Sequence, residues 1–391
     1  MSDFIDIYSV HNPKNIKIGS SEQDELIARL SEKNDPESLR LKRFLSMPDL
    51  SRMSDSPLHE IVQRILSIPR YADFDILQVP EIVQFDISFD LFNFPPDHPA
   101  RSSSDTYFVD RDHILRTHTT VMWYYHLNLP DVKKKIKMGQ PVGALSYGKV
   151  FRRDEIDRFH FPVFHQIDGW YLCRKKDHVI SIEDLKIVLL EIAKVVYGQN
   201  VKYRFNKDQF PYTDPSLEME IEAGGRWLEV LGAGVVKGEV LSNFDVDPNE
   251  YNGWAFGPGL ERLAMASMGV PDIRLFWSND ARVKNQLKLG NKFLEVSKYP
   301  PITRDISFVV DESFVPNNYF DLIRDIGGDL VEEVKLLDRY ENPKKFGKGK
   351  TSFTYRIVYR SSDRTLQVSE IDPLQAKIYE LTASQFNAEV R

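Results

Sequence analysis

Apolar residues recur at helical spacing in three stretches near the start of the chain. In "SSEQDELIARL", Ser20 or Ser21 would cap a short amphipathic helix. "DPESLRLKRFLS" and "SPLHEIVQRILSI" follow, each opened by a capping residue and a proline, Asp35-Pro36 and Ser56-Pro57. From about residue 80 the pattern changes to short apolar strands, as in "ISFDLFNF", broken by "PPDHPAR". A strand-rich region runs on to about 235, interrupted by one clear helix, "SIEDLKIVLLEIAKVVYGQ", with Ser181 and Glu183 at its start. "GLERLAMASMG" predicts a helix that opens after a Gly-Pro-Gly turn and closes at Gly269.

A new alternation begins at "SKYPPITRDISFVV", where Pro300-Pro301 marks a linker. It predicts strand 305–311, helix 316–326, strand 331–340, strand 351–360, helix 368–386 and strand 387–391. That βαββαβ order is the ferredoxin-like pattern. The chain therefore divides into an N-terminal helical and extended segment (1–79), a larger domain (80–292), a linker (293–299) and a C-terminal ferredoxin-like domain (300–391). Internal repeats and low-complexity tracts are absent from the sequence.

Composition narrows the class. The 391 residues are 42% hydrophobic, 28% charged and 12% aromatic, ordinary for a soluble globular protein. A net charge of −7 means that any nucleic-acid surface must be a local patch. The lone cysteine, Cys173, excludes a disulfide framework and a cysteine-based zinc site, and suits a reducing compartment. No apolar run approaches the ~18 residues of a membrane span. Asp3, Asp6, Glu22, Asp24 and Glu25 are wrong for an Arg-rich, acid-poor transit peptide. A cytoplasmic enzyme is the default expectation, although a processed mitochondrial protein would look the same.

Candidate chemistry begins in "GKVFRRDEIDRFHFPVFHQIDGWYL" (Gly148–Leu172), two strand-like ends around a long charged loop. Arg152 at a strand end suits a bidentate grip on carboxylate or phosphate. Alone, "RRDE" would read as surface ion pairs. Phe164, Gln166 and Asp168 return on the next strand with a ring, an amide and a carboxylate. In "GWAFGPGLERLAM", Gly257 and Gly259 permit close backbone approach of a ligand. Arg262 opposes the dipole of the helix it sits on, which is better explained by an anion or a π face beside it. "LRTHTTVMWYY" sets His118 and Thr120 in an apolar stretch, where a hydrogen-bonded core histidine is the plain reading. "FPYTDPSLEMEIE" flanks Pro211 with Phe210 and Tyr212, and "RWLEVLGAGVV" carries Glu229 among apolar neighbours.

Together with "NFPPDHPAR" and "GVPDIR", this ordered series resembles phenylalanyl-tRNA synthetase, and the class II synthetase core more generally. "KYPPITRDISFVV" resembles the start of that family's ferredoxin-fold anticodon-binding domain. The likeness covers roughly residues 80–391. It implies an α+β fold: a class II antiparallel sheet core flanked by helices, then the ferredoxin-like domain. It also implies activation of L-phenylalanine with ATP and transfer to the 3′ end of tRNA(Phe), with Mg²⁺. By that resemblance Arg152 would hold carboxylate and α-phosphate, and Phe164 and Arg262 would sandwich the adenine. Arg262 would also touch the γ-phosphate. Asp154, His160, Gly257 and Gly259 complete the implied ATP site, and Glu229 is the carboxylate for Mg²⁺. His118, Thr120, Gln166 and Asp168 would surround the ammonium and carboxylate of the amino acid. Phe210, Tyr212, Ala255 and Phe256 would form its side-chain pocket. No residue need act as nucleophile or general base.

The chain departs from the family at Tyr212, where Phe is usual, at Asp168, where Glu is usual, and at Thr120, where Ser is usual. "PKKFGKGKTSFTYRIVYRSS" (343–362) holds Lys344, Lys345, Lys348, Lys350, Arg356 and Arg360 without one acid, a basic hairpin suited to anticodon phosphates and bases. Fusion of this domain to the core resembles the single-chain mitochondrial form, implying a monomer without a separate editing subunit. The alternatives are a class II ligase for another amino acid and a non-catalytic synthetase-like tRNA-binding protein.

Overall fold

The computed structural model describes residues 14–154, 157–361 and 363–391. Asp3 and Asp6, Glu155 and Ile156 of the charged loop, and Ser362 of the basic hairpin lie outside the described residues. Two compact units divide the chain between Leu294 and Glu295.

The first unit is built on an eight-stranded sheet. Its strands are β1 (Asn15–Lys17), β2 (Asp75–Gln78), β5 (Val142–Phe151), β6 (Val163–Arg174), β7 (Tyr203–Phe210), β8 (Thr213–Ala223), β9 (Arg226–Val236) and β10 (Tyr251–Phe256). A two-stranded ribbon, β3 (Ile82–Gln84) with β4 (His113–Leu115), lies apart from it. The order is β1-β2-β5-β6-β10-β9-β8-β7; β1 pairs parallel with β2 and β2 with β5, and every later pairing is antiparallel. β5 and β6 are buried along nearly their whole length. Trp170, Leu172 and Ala144 join Trp123, Val132 and Leu77 in the main core, with the Trp123 and Trp170 rings stacked at 5.0 Å.

The three early helices form as their caps predict. In α1 (Ser21–Ser31), α2 (Pro36–Ser46) and α3 (Pro57–Leu66) the side chains of Ser20, Asp35 and Ser56 accept the first-turn N–H groups. "ISFDLFNF" is not a strand. It forms α4 (Phe85–Ser88) and a 3-10 turn (Asp90–Phe92), ended by Asn93 in the left-handed region at φ 57°. Phe85, two residues before the stretch, lies one helical turn from Phe89, and their rings meet at 4.9 Å, so packing decided between two periods. The strand-rich region likewise holds α5 (Met122–Leu127) and α6 (Pro130–Lys137), besides the expected α7 (Ile182–Tyr197). α8 (Gly238–Asn243), α9 (Leu260–Met268) and α10 (Ala281–Lys284) complete the unit, and Gly269 closes α9 at φ 72°.

The expected division at residues 79 and 80 does not separate two bodies. β2 lies inside the sheet, and two buried cations stitch both sides of that boundary together. The Lys149 ammonium, 3% exposed, donates to the carbonyls of Leu45 (2.9 Å) and Met47 (2.8 Å) at the end of α2, and pairs with Glu81 at 3.2 Å. Arg116 donates to the carbonyls of Lys149 (2.8 Å) and Val79 (2.9 Å). Cations this deep persist only when so satisfied.

The second unit follows the sequence reading. β11 (Ile302–Asp311), α11 (Pro316–Gly327), β12 (Val331–Glu341), α12 (Pro343–Phe346), β13 (Lys350–Tyr359), α13 (Val368–Gln385) and β14 (Glu389–Val390) give the sheet order β12-β13-β11-β14. Phe308, Tyr319, Tyr355, Ile357 and Ile378 form its core. Among the described residues no helix is long and apolar enough to cross a membrane.

Candidate active site

β5 and β6 run antiparallel with Gly148 opposite Gln166 and Phe151 opposite Val163. The register brings Arg152, just past β5, beside Phe164 on β6. The Arg152 guanidinium lies over the Phe164 ring, 5.2 Å from its centroid, and its Nε donates to the Thr117 carbonyl at 3.0 Å. Burial penalises its charge, while Asp154, Tyr212 and Asp168 favour it; an arginine stays protonated regardless.

The Gly-Pro-Gly turn is fastened to β6. The Ile167 N–H donates to the Pro258 carbonyl at 3.2 Å, and Gln166 bridges Gly259. Behind it, Glu261 accepts from the backbone N–H (2.9 Å) and the Nδ1–H (2.7 Å) of fully buried His165, whose Nε2 accepts from the Leu50 N–H at 3.0 Å. β6, α9 and the N-terminal region are thereby held in one arrangement. Gly257 must be glycine for space: a Cβ there would lie 2.7 Å from Asp168 Oδ1.

Three residues of this cavity carry a buried acceptor that has no hydrogen-bond partner among the described residues. His118 donates from Nε2 to the Ser88 carbonyl (3.0 Å), so Nδ1 keeps its lone pair. Burial and then the Arg152 charge hold this imidazole down to about 3, neutral at any working pH. Asp168 accepts from Thr120 at 2.5 Å through Oδ2, leaving Oδ1, and Gln166 offers Oε1. Burial pushes the Asp168 carboxyl up to about 6, against the pull of the Thr120 and Thr119 hydroxyls and of Arg152.

All sixteen residues picked from the sequence for ATP, amino acid and metal line one cavity of about 1020 Å³. Arg262 and Phe164 line the same cavity; the Arg262 Nη1 lies 3.5 Å from Glu229, and the cation directly over the Phe164 ring is Arg152. Phe210 and Tyr212 stack at 6.0 Å, and Tyr212 also packs on Phe92 (5.8 Å) and Phe94 (6.1 Å), the rings that flank His118. Burial and the Asp168 charge push the Tyr212 hydroxyl up, with Arg152 pulling it down. That hydroxyl feels the polar end of the cavity. His160 is half-exposed and bonded to Asp157 at 2.8 Å, within the charged loop.

Glu229 is a half-exposed carboxylate on the cavity wall beside Arg262. Burial raises its pKa, and the nearby charges of Glu218, Asp208 and Glu220 add to the effect against Arg262. Among the described residues no three His, Cys, Asp or Glu side chains gather as a metal cage. Such a site fits Mg²⁺, which takes one or two carboxylates and completes its shell with phosphates and water.

Sequence reasoning missed Phe94, Trp123, Arg158, Trp227 and Glu261, all on the cavity wall. Glu261 and His165 stood inside quoted motifs; their pairing needed the fold. In the second unit Lys344, Lys345, Lys348 and Lys350 are exposed on the β12–β13 connection. Arg356 and Arg360 of the same stretch are committed to Asp305 (2.7 Å) and Glu332 (3.0 Å) on other strands.

A sheet with antiparallel strands, an arginine at the turn between two of them and a glycine-flanked helix carrying a second arginine matches a known core. Residues 43–287 match the tRNA synthetases class II core domain (F), and residues 297–391 match the ferredoxin-fold anticodon binding domain. The chain belongs to the class II tRNA synthetases. It is 42% identical over 315 residues to the chloroplastic/mitochondrial phenylalanine–tRNA ligase of Arabidopsis thaliana, covering 78% of this chain and 70% of that one. It is 36% identical to the mitochondrial phenylalanine–tRNA ligase of Mus musculus, with 83% and 76% covered, and 34% identical to a probable mitochondrial one of Drosophila melanogaster, with 86% and 85% covered. Within its class the chain belongs to the phenylalanine–tRNA ligase family.

Proposed function

We propose that this chain activates L-phenylalanine with ATP and transfers it to the 3′ end of tRNA(Phe). The observation that carries the reading is the set of three buried acceptors, His118 Nδ1, Gln166 Oε1 and Asp168 Oδ1, on the same cavity as an aromatic wall and Arg152. A substrate ammonium has three N–H donors to offer them. Phe210, Tyr212, Ala255 and Phe256 then receive a ring, where edge and stacked contacts add about 0.5–1.5 kcal/mol beyond burial. Arg152 orients the carboxylate toward the α-phosphate and stabilises charge as it builds there. Phe164 and Arg262 border the space for the base and outer phosphates, with Asp154, His160, Gly257 and Gly259 around them. Mg²⁺ held by Glu229 would supply neutralising charge to the phosphates. ATP–pyrophosphate exchange with a panel of amino acids tests the reading; stimulation by an amino acid other than phenylalanine would overturn it. The names of the relatives favour a mitochondrial over a cytoplasmic setting, and the fused anticodon-binding domain favours a monomer with no separate editing subunit.

Acidity bears on the head-group site with a definite sign. The Asp168 pKa is raised from the ordinary 3.8 to about 6, so below that value the carboxyl is neutral in the free protein. Stability is therefore lost as pH rises from 3.8 through about 6 and stays reduced above that, and a bound ammonium relieves the cost of the ionised form. The KM for phenylalanine should therefore rise as pH falls through 6, by about ten-fold per unit below it. His118, already neutral, contributes nothing to this limb. Asp168→Asn should raise KM and flatten the profile; a limb that persists in Asp168→Asn would assign it elsewhere.

A further inference from the structure

We infer that Lys237 is a positioning residue for the amino-acid pocket, a cationic clamp that sets its aromatic wall from behind. The inference rests on reading the cavity as the phenylalanine site. Phe210, Pro211 and Tyr212 form the turn between β7 and β8, where regular sheet bonding gives way. The β7–β8 register shifts between Asp208 and Phe210, and the β8–β9 register shifts between Thr213 and Ser216. Three consecutive carbonyls of this irregular segment are met by one residue. The Lys237 ammonium donates to the carbonyls of Pro211 (2.9 Å) and Phe210 (3.3 Å), and its backbone N–H donates to the carbonyl of Tyr212 (3.1 Å).

Lys237 stands just past β9, immediately before α8, and does not line the cavity. It cannot therefore be counted as a substrate contact. What it fixes is the backbone that carries two stacked rings. Phe210 is confined on another side by Gly232, where a Cβ would come within 2.9 Å of its ring. With Gly232 as a stop and Lys237 as the tie, the Phe210–Tyr212 pair has little freedom to drift. Hydrogen bonds from a charged donor are roughly twice as strong as neutral ones, so one ammonium can replace lost ladder bonds.

Removing the tie should widen the pocket without touching the ATP side. Lys237→Met keeps length and apolar stem but loses the charge and its two donated bonds. The expected result is a KM for phenylalanine raised roughly ten-fold, as small misplacements of a binding wall cost one to two orders of magnitude. The KM for ATP should stay within about two-fold, and discrimination against tyrosine should fall, because steric rejection in such a pocket is worth only about 10–200-fold. Lys237→Arg, which can still donate to both carbonyls, should recover most of the loss. Unchanged KM for phenylalanine in folded Lys237→Met would overturn the clamp, as would equal rises in both KM values. Absence of phenylalanine-dependent exchange in the parent chain would instead overturn the site reading. Should Lys237→Met fail to fold, Lys237→Gln under the same two KM measurements decides the matter.

Discussion

Replacing Arg152 with alanine is expected to lower phenylalanine-dependent pyrophosphate exchange by about 10²–10³, the usual cost of losing one donor aimed at developing charge. The guanidinium is placed by two contacts, the Thr117 carbonyl at Nε and the Phe164 ring beneath it. With both held, the fork keeps one orientation toward a carboxylate and a phosphate. Arg152→Lys should recover little, since a point charge has neither the planar stack nor the second donor. Arg152 also donates to Thr117, so far-UV circular dichroism and the melting temperature of the variant must match the parent before its exchange rate is compared. Near-parental exchange in a folded Arg152→Lys protein would remove Arg152 from the reaction.

A chain ending at Leu294 is the second large test. The first unit has its own cores, and the boundary at Leu294 leaves the cavity lining intact. Exchange should persist while transfer to tRNA falls by roughly a hundred-fold or more, the worth of two stacked bases at about 1–3 kcal/mol each. Changing Lys344, Lys345, Lys348 and Lys350 together to glutamine in the full chain should reproduce part of that loss. The salt slope of tRNA binding should flatten by about 0.7 for each phosphate contact removed. An unaltered slope would exclude this hairpin as the anchoring surface. Retained transfer by the shortened chain would move the tRNA grip to the first unit.

How much of this was legible beforehand depended on whether the signal was local. Caps, the Gly-Pro-Gly turn and the βαββαβ alternation are local, and α1, α2, α3, α9 and the second unit followed from them. "ISFDLFNF" was misread because its phenylalanines satisfy two periods at once, and only packing chooses. α6 went unread because four lysines hide the buried Val132 that seats it. The cavity residues were legible as a resemblance in ordered motifs, but their partners were not. Nothing in a linear reading pairs Glu261 with His165, 96 positions away, or hands three carbonyls to Lys237. The hairpin cations show the reverse error: a run without acids looked uniformly available, yet Arg356 and Arg360 face acids on neighbouring strands.

The buried Lys149 has a consequence for the order in which the chain can assemble during synthesis. The carbonyls it satisfies at the end of α2 leave the ribosome 104 and 102 residues ahead of it. At about 5–20 residues per second, that is roughly 5–20 s of waiting. The apolar partners of α1 and α2 are late as well, since Leu41 and Phe44 pack with Leu115, Phe151 and Val163. Throughout that interval the end of α2 lacks the cation that satisfies its last carbonyls, and the cluster on which α1 and α2 pack lacks Phe151 and Val163. The packing of α1 and α2 is complete only when the β5–β6 hairpin arrives, well after both helices have been made.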